Sequence, residues 1–541
     1  MHSLRFNVQP PLSSFSPRLG SLSVHRASEN TTISVSTPGL ITSTSRGVVP
    51  HLSSDHTRVS DAIRWVHVPF ESFLELSPPV PTLHPGPYPL HACLGFRPNR
   101  HVLTLLLRDP ADDRDMPPNG NSFVSALCLR GVRKATPDEW REHVLSVQPD
   151  LVVALSDIPY TPGSHSQRRI TKSLERSASW LANILRPLPG QHVSAGAGAH
   201  PLNVLVHMAG GTSPAARQAF SQSLLEPLFD KEAEAIKPLN SLDEGVVGYT
   251  FDLAPLHKSF SSSDPPPRGT TTKNPFMEAA DLFSTRPTPF ATAQIISLIR
   301  TSLGPLPAIK PRIVHSAGSP HEILALIRDV GVDLFDAHWA QRAADVGVAL
   351  DFVFPVPPVT EPSDAVPPPP REIGHNLYDK RYSHDFSPFA DALRSCAAAK
   401  RGDTRPSCPC MACSPLRPSE PLKHSSVDEA LPVHTPMPYT RAYVHHLLHT
   451  HEMSAHTLLV LHNLAVLDTF FAGVRRVLSE RPEQFSEEIT RFEQTYDEKL
   501  GVLAESRKDW NEVTLARGRG RLVREREKQK QDALETAVEL E

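Results

Sequence analysis

Three cysteines fall within six residues at Cys408-Pro-Cys-Met-Ala-Cys413, and a histidine-rich stretch follows that begins near Tyr439 and reaches His462-Asn463. Zinc takes about four ligands in a structural site, and thiolate and imidazole are its usual protein donors. Cys410 and Cys413 form a C-x-x-C pair and Cys408 adds a third thiol two residues earlier. Three sulfurs can therefore wrap one face of an ion and leave one position for a distant imidazole. Several compete for it: His445, His446, His449, His451, His456 and His462. The bland alternative is a chance cluster in a Pro- and Ser-rich loop, because short motifs recur without function. Cys93, Cys128 and Cys396 stand singly and read as buried thiols. This usage argues against a disulfide framework and for a reduced, cytosolic metal site.

Such a site needs elements to position it. At 541 residues and 59.5 kDa the chain can bury a large core, as one elaborated α/β domain or as two domains. A formal net charge of −4 and a pI near 6.7 announce no global basic field, so any contact with nucleic acid has to be local. No run of about 18 apolar residues indicates a membrane-spanning helix. The opening residues Met1-His-Ser-Leu-Arg-Phe-Asn-Val8 lack both an apolar signal core and an Arg-rich amphipathic stretch. A soluble intracellular protein is the expectation.

The 55 prolines cluster in Ser261 to Pro289, Phe354 to Arg371 and Ser414 to Pro438, which read as surface insertions. Between them, short apolar runs alternate with helical patterns. The runs Val102 to Leu107, Leu151 to Leu155, Asn203 to His207, Gly245 to Thr250 and Arg312 to Val314 predict strands. Helices are predicted over Pro137 to Val147, Ser164 to Leu185, Ala215 to Leu228, Ala291 to Leu303 and Pro320 to Val330. Strands separated by helices pair in parallel, so the pattern implies a doubly wound sheet or a (β/α)8 barrel, and periodicity does not choose between them. From Glu480 onward the chain is charge-rich and helical in propensity. Near its end Arg517 to Lys530 is basic, either a solvated mixed-charge helix or a local phosphate contact.

Taken together, Asn376-Leu-Tyr-Asp-Lys-Arg-Tyr-Ser-His-Asp-Phe-Ser-Pro, the cysteine cluster, Thr440-Arg-Ala-Tyr-Val-His-His-Leu-Leu and Leu461-His-Asn resemble the tRNA-guanine transglycosylase family. Within it they look like the accessory subunits of the eukaryotic queuine enzymes. The resemblance implies a modified (β/α)8 TIM-like barrel with a C-terminal zinc-binding subdomain and proline-rich insertions. The zinc ligands it implies are Cys408, Cys410, Cys413 and His462, one ion per chain. The implied division is a barrel over 1–400 with insertions near 261–289 and 354–371, a zinc-binding subdomain over 401–500 and a charged helical tail over 501–541. Pro17-Arg-Leu-Gly-Ser-Leu and Ser36-Thr-Pro-Gly look like the family's opening strands, which argues that no leader precedes the domain. Asp157, closing Pro149 to Ser156, looks like the family's base-binding aspartate. Asp336, closing Gly331 to Phe335, looks like its nucleophile, at a strand end where a barrel enzyme places such a residue.

The departures bear on function. Where catalytic members carry D-S-G-G-F-Q, this chain reads Asn119-Gly-Asn-Ser-Phe-Val. Gly245-Val-Val-Gly-Tyr-Thr-Phe-Asp-Leu-Ala replaces G-G-L-A-V-G-E, losing the glycine-rich loop and its acid, and Ala209 stands where a glutamine would read the base. A pocket that keeps one carboxylate and loses its partners cannot orient a purine and exchange protons with it. The resemblance therefore implies a vestigial pocket at Asp157 and Asp336, and a non-catalytic subunit that pairs with a catalytic one as a heterodimer and supports exchange of guanine for queuine at the tRNA wobble position. Its implied place is the cytoplasm, with peripheral association at the mitochondrial outer membrane. An active transglycosylase using Asp336, and a zinc-containing scaffold without a tRNA role, are the competing readings. The structural alternatives are that Asp336 only caps a helix and Asp157 only holds a turn, while Arg342 is either a phosphate contact or a surface charge.

Overall fold

In the computed structural model, the described residues are 2–9, 13–26, 30–112, 114, 116–158, 165–187, 202–260, 288–357, 369–391, 408–414 and 438–516. The cores of the three proline-rich insertions, Cys396 and the basic stretch Arg517 to Lys530 lie outside them. The chain divides into two compact units: residues 1–341, 353–370 and 464–498 make the first, and 342–352, 371–463 and 499–541 the second.

The first unit opens with an antiparallel meander, β1 (His2–Val8), β2 (Gly20–Arg26) and β3 (Thr31–Thr37). It continues with β4 (Gly39–Ser43), β5 (Trp65–Pro69) and β6 (Val102–Leu106). A hairpin of β7 (Val124–Cys128) and β8 (Gly131–Ala135) follows, and then β9 (Leu151–Val153), β10 (Val204–His207), β11 (Val246–Asp252), β12 (Arg312–His315) and β13 (Leu334–Asp336). Strands β4, β5, β6 and β9 to β13 form a closed barrel in chain order, every neighbouring pair parallel, with β13 returning to β4 through Leu334↔Gly39 and Asp336↔Ile41. The barrel is the (β/α)8 arrangement implied above. Its strands are covered on both faces, so β4, β5 and β6 are buried along their whole length rather than at alternate residues.

Between the strands, the helices announce themselves by Ser-Pro or Thr-Pro. Thr136, Ser213, Thr288 and Ser319 cap helices Pro137–Val147, Pro214–Leu225, Pro289–Leu303 and Pro320–Val330, each with proline in the first turn, where its missing N–H costs nothing. Thr136 and Glu139 complete a capping box. Gly331, in the left-handed region at φ 68°, stops the last of these helices.

The meander alternates buried and exposed residues, placing Leu22, Val24, Ile33 and Val35 in one cluster with Trp65, Leu151, Leu205, Ile313 and Leu334 of the barrel. It also brings two buried arginines to the starts of barrel strands. Arg26 pairs with Asp150 before β9 at 2.6 Å, and Arg18 pairs with Asp333 before β13. The N-terminal end of the barrel is thus plugged, leaving the opposite end for a site.

After β13 and the helix His338–Asp345 the chain enters the second unit, and it rejoins the first along the helix Met453–Glu480. Phe471 of that helix stacks on Phe335 of β13 at 5.8 Å, and Gly473 lets the helix approach, since a Cβ there would stand 1.7 Å from the Phe354 carbonyl oxygen. The two units do not follow contiguous stretches of the chain. The metal-binding stretch lies in the second unit, while 464–498 packs with the barrel because a barrel's last strand still needs a covering helix. Met453–Glu480 is long and apolar enough to cross a bilayer by length and composition, with mean hydropathy 1.6, but 72% of that window is buried inside the protein, as in a core helix.

In the second unit β14 (Val348–Leu350) pairs antiparallel with β15 (Gly374–Asn376). Thr440 caps the helix Arg441–His449, and residues 501–516 are helical.

A candidate metal centre and the barrel mouth

The second unit brings Cys408, Cys410, Cys413 and His462 together, all buried. Each cysteine Sγ lies 3.5 Å from His462 Nδ1. Zn–S and Zn–N bonds of about 2.3 and 2.0–2.1 Å meeting at a tetrahedral angle put sulfur and nitrogen about 3.5 Å apart, so the donor set fits a tetrahedral ion. The imidazole is fixed from behind: Nε2–H donates to the Leu350 carbonyl at 2.8 Å, which leaves Nδ1 as the free ligand atom. Asn463 then holds the same strand, accepting from Leu350 N at 2.9 Å and donating to Val348 O at 3.0 Å. The His-Asn dipeptide is thus one device, a ligand and a clamp on β14. Phe389 packs edge-on against the His462 ring at 5.3 Å.

On the thiol side, the Cys413 amide donates to Cys410 Sγ at 3.2 Å and the Ser414 hydroxyl to the Cys408 carbonyl at 2.9 Å, closing the tight loop. The competing imidazoles are engaged elsewhere. His445 bonds the Leu377 carbonyl, His449 the Tyr378 carbonyl and His456 the Ala344 carbonyl, while His446 is exposed. Of the single cysteines, Cys128 is buried, with its thiol pushed up to about 11 by burial and then by Glu71 and Glu75, and Cys93 is half-buried.

In the first unit, Asp157 lies just beyond β9 and is fully buried with both carboxylate oxygens occupied. Arg169 grips it in bidentate fashion at 2.7 and 2.8 Å, Arg176 adds a bond at 2.9 Å, and the Asn119 amide donates at 2.7 Å. Both arginines come from the helix Gln167–Ile184, whose N-cap is Ser166. Asn119, which the sequence reading set against the family's acid/base aspartate, is equally committed: its oxygen accepts from Arg108 at 3.1 Å and from the Ser125 amide at 3.0 Å. A carboxylate held this way is a closed ion-pair network and has no oxygen left for a purine.

Asp336 sits at the end of β13, fully buried, with Oδ2 accepting from the Ser316 amide at 2.9 Å and the backbone of His338 also donating to the carboxylate. Burial pushes its carboxyl up to about 8, with Asp109 and Asp252 adding to the shift and the backbone donors opposing it. His338 is the first residue of the helix that follows. Arg342 pairs with Asp345 at 2.6 Å along its own helix.

Sequence reasoning missed four residues at this mouth: His67, His207, Asp252 and His315. A cavity there is lined by Arg108, Ser156, His207, Asp252 and His315 among others. His207 Nε2 lies 3.0 Å from Asp252, so the strand from Gly245 onward does end in an acid, contrary to the expectation that it had been lost. For three of them the signal was present. Apolar runs that break to a titratable residue at their last position (Val-Leu-Val-His207, Tyr-Thr-Phe-Asp252, Arg-Ile-Val-His315 and Leu-Phe-Asp336) mark the C-terminal ends of barrel strands, whereas His67 lies within β5 and carries no such signal.

A family model described as queuine tRNA-ribosyltransferase matches residues 289–498. Queuine tRNA-ribosyltransferase accessory subunit 2 of Schizosaccharomyces pombe is 25% identical over 469 residues, covering 85% of this chain and 78% of that protein. The protein of the same name from Xenopus tropicalis is 26% identical, covering 86% and 94%, and that from Danio rerio is 30% identical over a shorter stretch, 36% of this chain and 42% of that protein. The chain thus carries a queuine tRNA-ribosyltransferase family domain, and over most of its length it is a relative of proteins named queuine tRNA-ribosyltransferase accessory subunit 2.

Proposed function

We propose that this protein is a non-catalytic accessory subunit that pairs with a catalytic queuine tRNA-ribosyltransferase subunit and supports exchange of guanine for queuine at the tRNA wobble position. One observation carries the reading: Asp157, the residue that resembles the family's base-binding acid, is saturated by Arg169, Arg176 and Asn119. A base entering such a pocket would have to break a buried bidentate ion pair before gaining any contact. The names of the relatives support the same reading, since each is called an accessory subunit.

Cys408, Cys410, Cys413 and His462 would hold one structural zinc per chain, whose chemistry is to cross-link the loop, the helix and β14 of the second unit. Partner contact falls on the helix Arg441–His449. Tyr443 is 45% exposed and stacks on Tyr439 at 5.6 Å, and His446 faces solvent on the same side. Exposed paired aromatics are what interfaces enrich. The basic stretch Arg517 to Lys530 adds salt-sensitive affinity for tRNA. Residence in the cytoplasm with peripheral attachment to the mitochondrial outer membrane completes the proposal, on the family resemblance alone.

The test is reconstitution. The purified chain by itself should exchange no guanine and trap no covalent tRNA adduct, and adding a catalytic subunit that carries D-S-G-G-F-Q should yield a stable complex with exchange activity. Base exchange by the isolated chain, or a covalent adduct at Asp336, overturns the reading.

A further inference from the structure

The middle of β5 and the ends of β12 and β13 converge on a second donor set that the accessory role does not use. His67 Nδ1 and Nε2 and Asp336 Oδ1 have no hydrogen-bond partner among the described residues, nor does His315 Nδ1, which stands 3.8 Å from Asp336 Oδ2. All three side chains are buried, at 1%, 3% and 0% exposure. One ligand atom from each lies within 4.8 Å of the others, and the two imidazole rings meet edge to face at 5.3 Å. A buried polar group left unpaired is costly, so three converging on one point call for a common partner. Hydrogen bonding among themselves does not supply it, because the one close approach exceeds hydrogen-bond length.

We propose that His67, His315 and Asp336 bind a divalent transition-metal cation at the C-terminal mouth of the barrel, a site separate from the Cys3His centre and beyond the accessory function. The donors fit that class. Two imidazoles and one carboxylate are borderline ligands that suit zinc, iron(II), cobalt(II) or nickel(II), whereas magnesium and calcium require more oxygens and copper(I) prefers sulfur. Burial holds both imidazoles below their usual range, His315 at about 4, so their ring nitrogens carry free lone pairs at neutral pH, while Asp336, its carboxyl pushed up to about 8, would release its proton as the cation binds. The ligands sit on three strands of one closed barrel, a rigid frame for coordination. Three protein ligands leave coordination positions open. His207 and Asp252, 3.0 Å apart on the cavity wall that His315 shares, stand beside them.

The test titrates the zinc-loaded full chain with Co2+ under anaerobic conditions. One further equivalent should bind with weak visible d–d bands and without the sulfur-to-cobalt charge-transfer absorption that a thiolate site gives. His67→Ala should weaken that binding by roughly 100-fold or more, since even outer-shell changes cost 10–100-fold. The nearly isosteric Asp336→Asn should do the same, and it serves where His67→Ala fails to fold. If the folded chain takes up no further Co2+, or if the added Co2+ shows thiolate charge transfer and is unaffected by Asp336→Asn, the site does not exist and the mouth is only hydrated.

Discussion

Asp157→Asn separates a structural carboxylate from a base-binding one. The substitution keeps the shape of the side chain and removes its charge, leaving Arg169 and Arg176 facing a neutral amide with one oxygen where two had accepted, and setting the new NH2 against the NH2 of Asn119. Breaking a buried ion pair by removing one partner costs about 3–5 kcal/mol. The arginines are 23% and 15% exposed, so water recovers part of their loss, and a destabilisation of about 2–3 kcal/mol is expected. Trp180, buried on the same helix as both arginines, reports the change by fluorescence during urea unfolding. Base exchange by the reconstituted pair should not change once both variants are folded, whereas removing a polar group that touches the reacting base costs about 100- to 1000-fold. Wild-type stability combined with exchange lost on that scale would refute the argument and return Asp157 to the active site.

Cys410→Ser should reduce zinc from about one equivalent per chain to near none and unfold the second unit, because binding energy in such sites is folding energy; elemental analysis and circular dichroism check it, and a folded chain that never held metal sinks it. Glu71 is buried with its carboxyl pushed up to about 8, by burial first and then by Asp109 and Asp112. The folded protein therefore holds a proton that the unfolded chain releases near 4.5, so this group's stabilisation is full below that pH and is lost as pH rises towards 8. The loss reaches roughly 4–5 kcal/mol, and Glu71→Gln should flatten that part of the pH–stability curve in thermal melts; an unaltered curve rejects it. Tyr443→Asp should abolish co-purification with the catalytic subunit and leave the isolated chain's melting temperature in place, and survival of the complex would move the interface elsewhere.

Much of the fold was legible because the elements carry their own punctuation. Helices Pro137–Val147 and Pro320–Val330 match the sequence reading residue for residue, since Thr136-Pro and Ser319-Pro fix their starts and Gly331 fixes one end. Strands β6, β9, β10 and β12 fall within a residue or two of their predicted runs. Periodicity could not decide between sheet and barrel, because closure is a pairing of β13 with β4, residues nearly 300 apart, and no local pattern encodes it. The division into units was hidden for a related reason. Met453–Glu480 is one uninterrupted helix, and nothing along its sequence marks Asn463 and Leu464 as belonging to different packing units. The metal centre was the most legible site, because its thiols are adjacent in sequence and soft ligands rarely cluster without use. Its fourth ligand depended on family resemblance, and the structural reason for the choice is that His462, held through Nε2 by the Leu350 carbonyl, puts Nδ1 3.5 Å from each of the three sulfurs.

The mouth of the barrel was read through the family's losses, and those losses are coupled in a way a residue-by-residue comparison hides. Asn119 donates to an Asp157 oxygen at 2.7 Å, so an aspartate at 119 would set two carboxylates against each other at hydrogen-bond distance and remove a donor. Restoring the family's acid by Asn119→Asp therefore does not restore the pocket. The new carboxyl would compete with Asp157 for Arg169, Arg176 and Arg108, and the base would still meet a filled site. Asn119→Asp alone should yield no guanine exchange in a single-turnover assay of the isolated chain, and it should lower stability through the repulsion and through loss of the donor to Asp157. If that one change confers exchange, the arginines yield to an incoming base, and the ion-pair network cannot be what keeps this chain from catalysis.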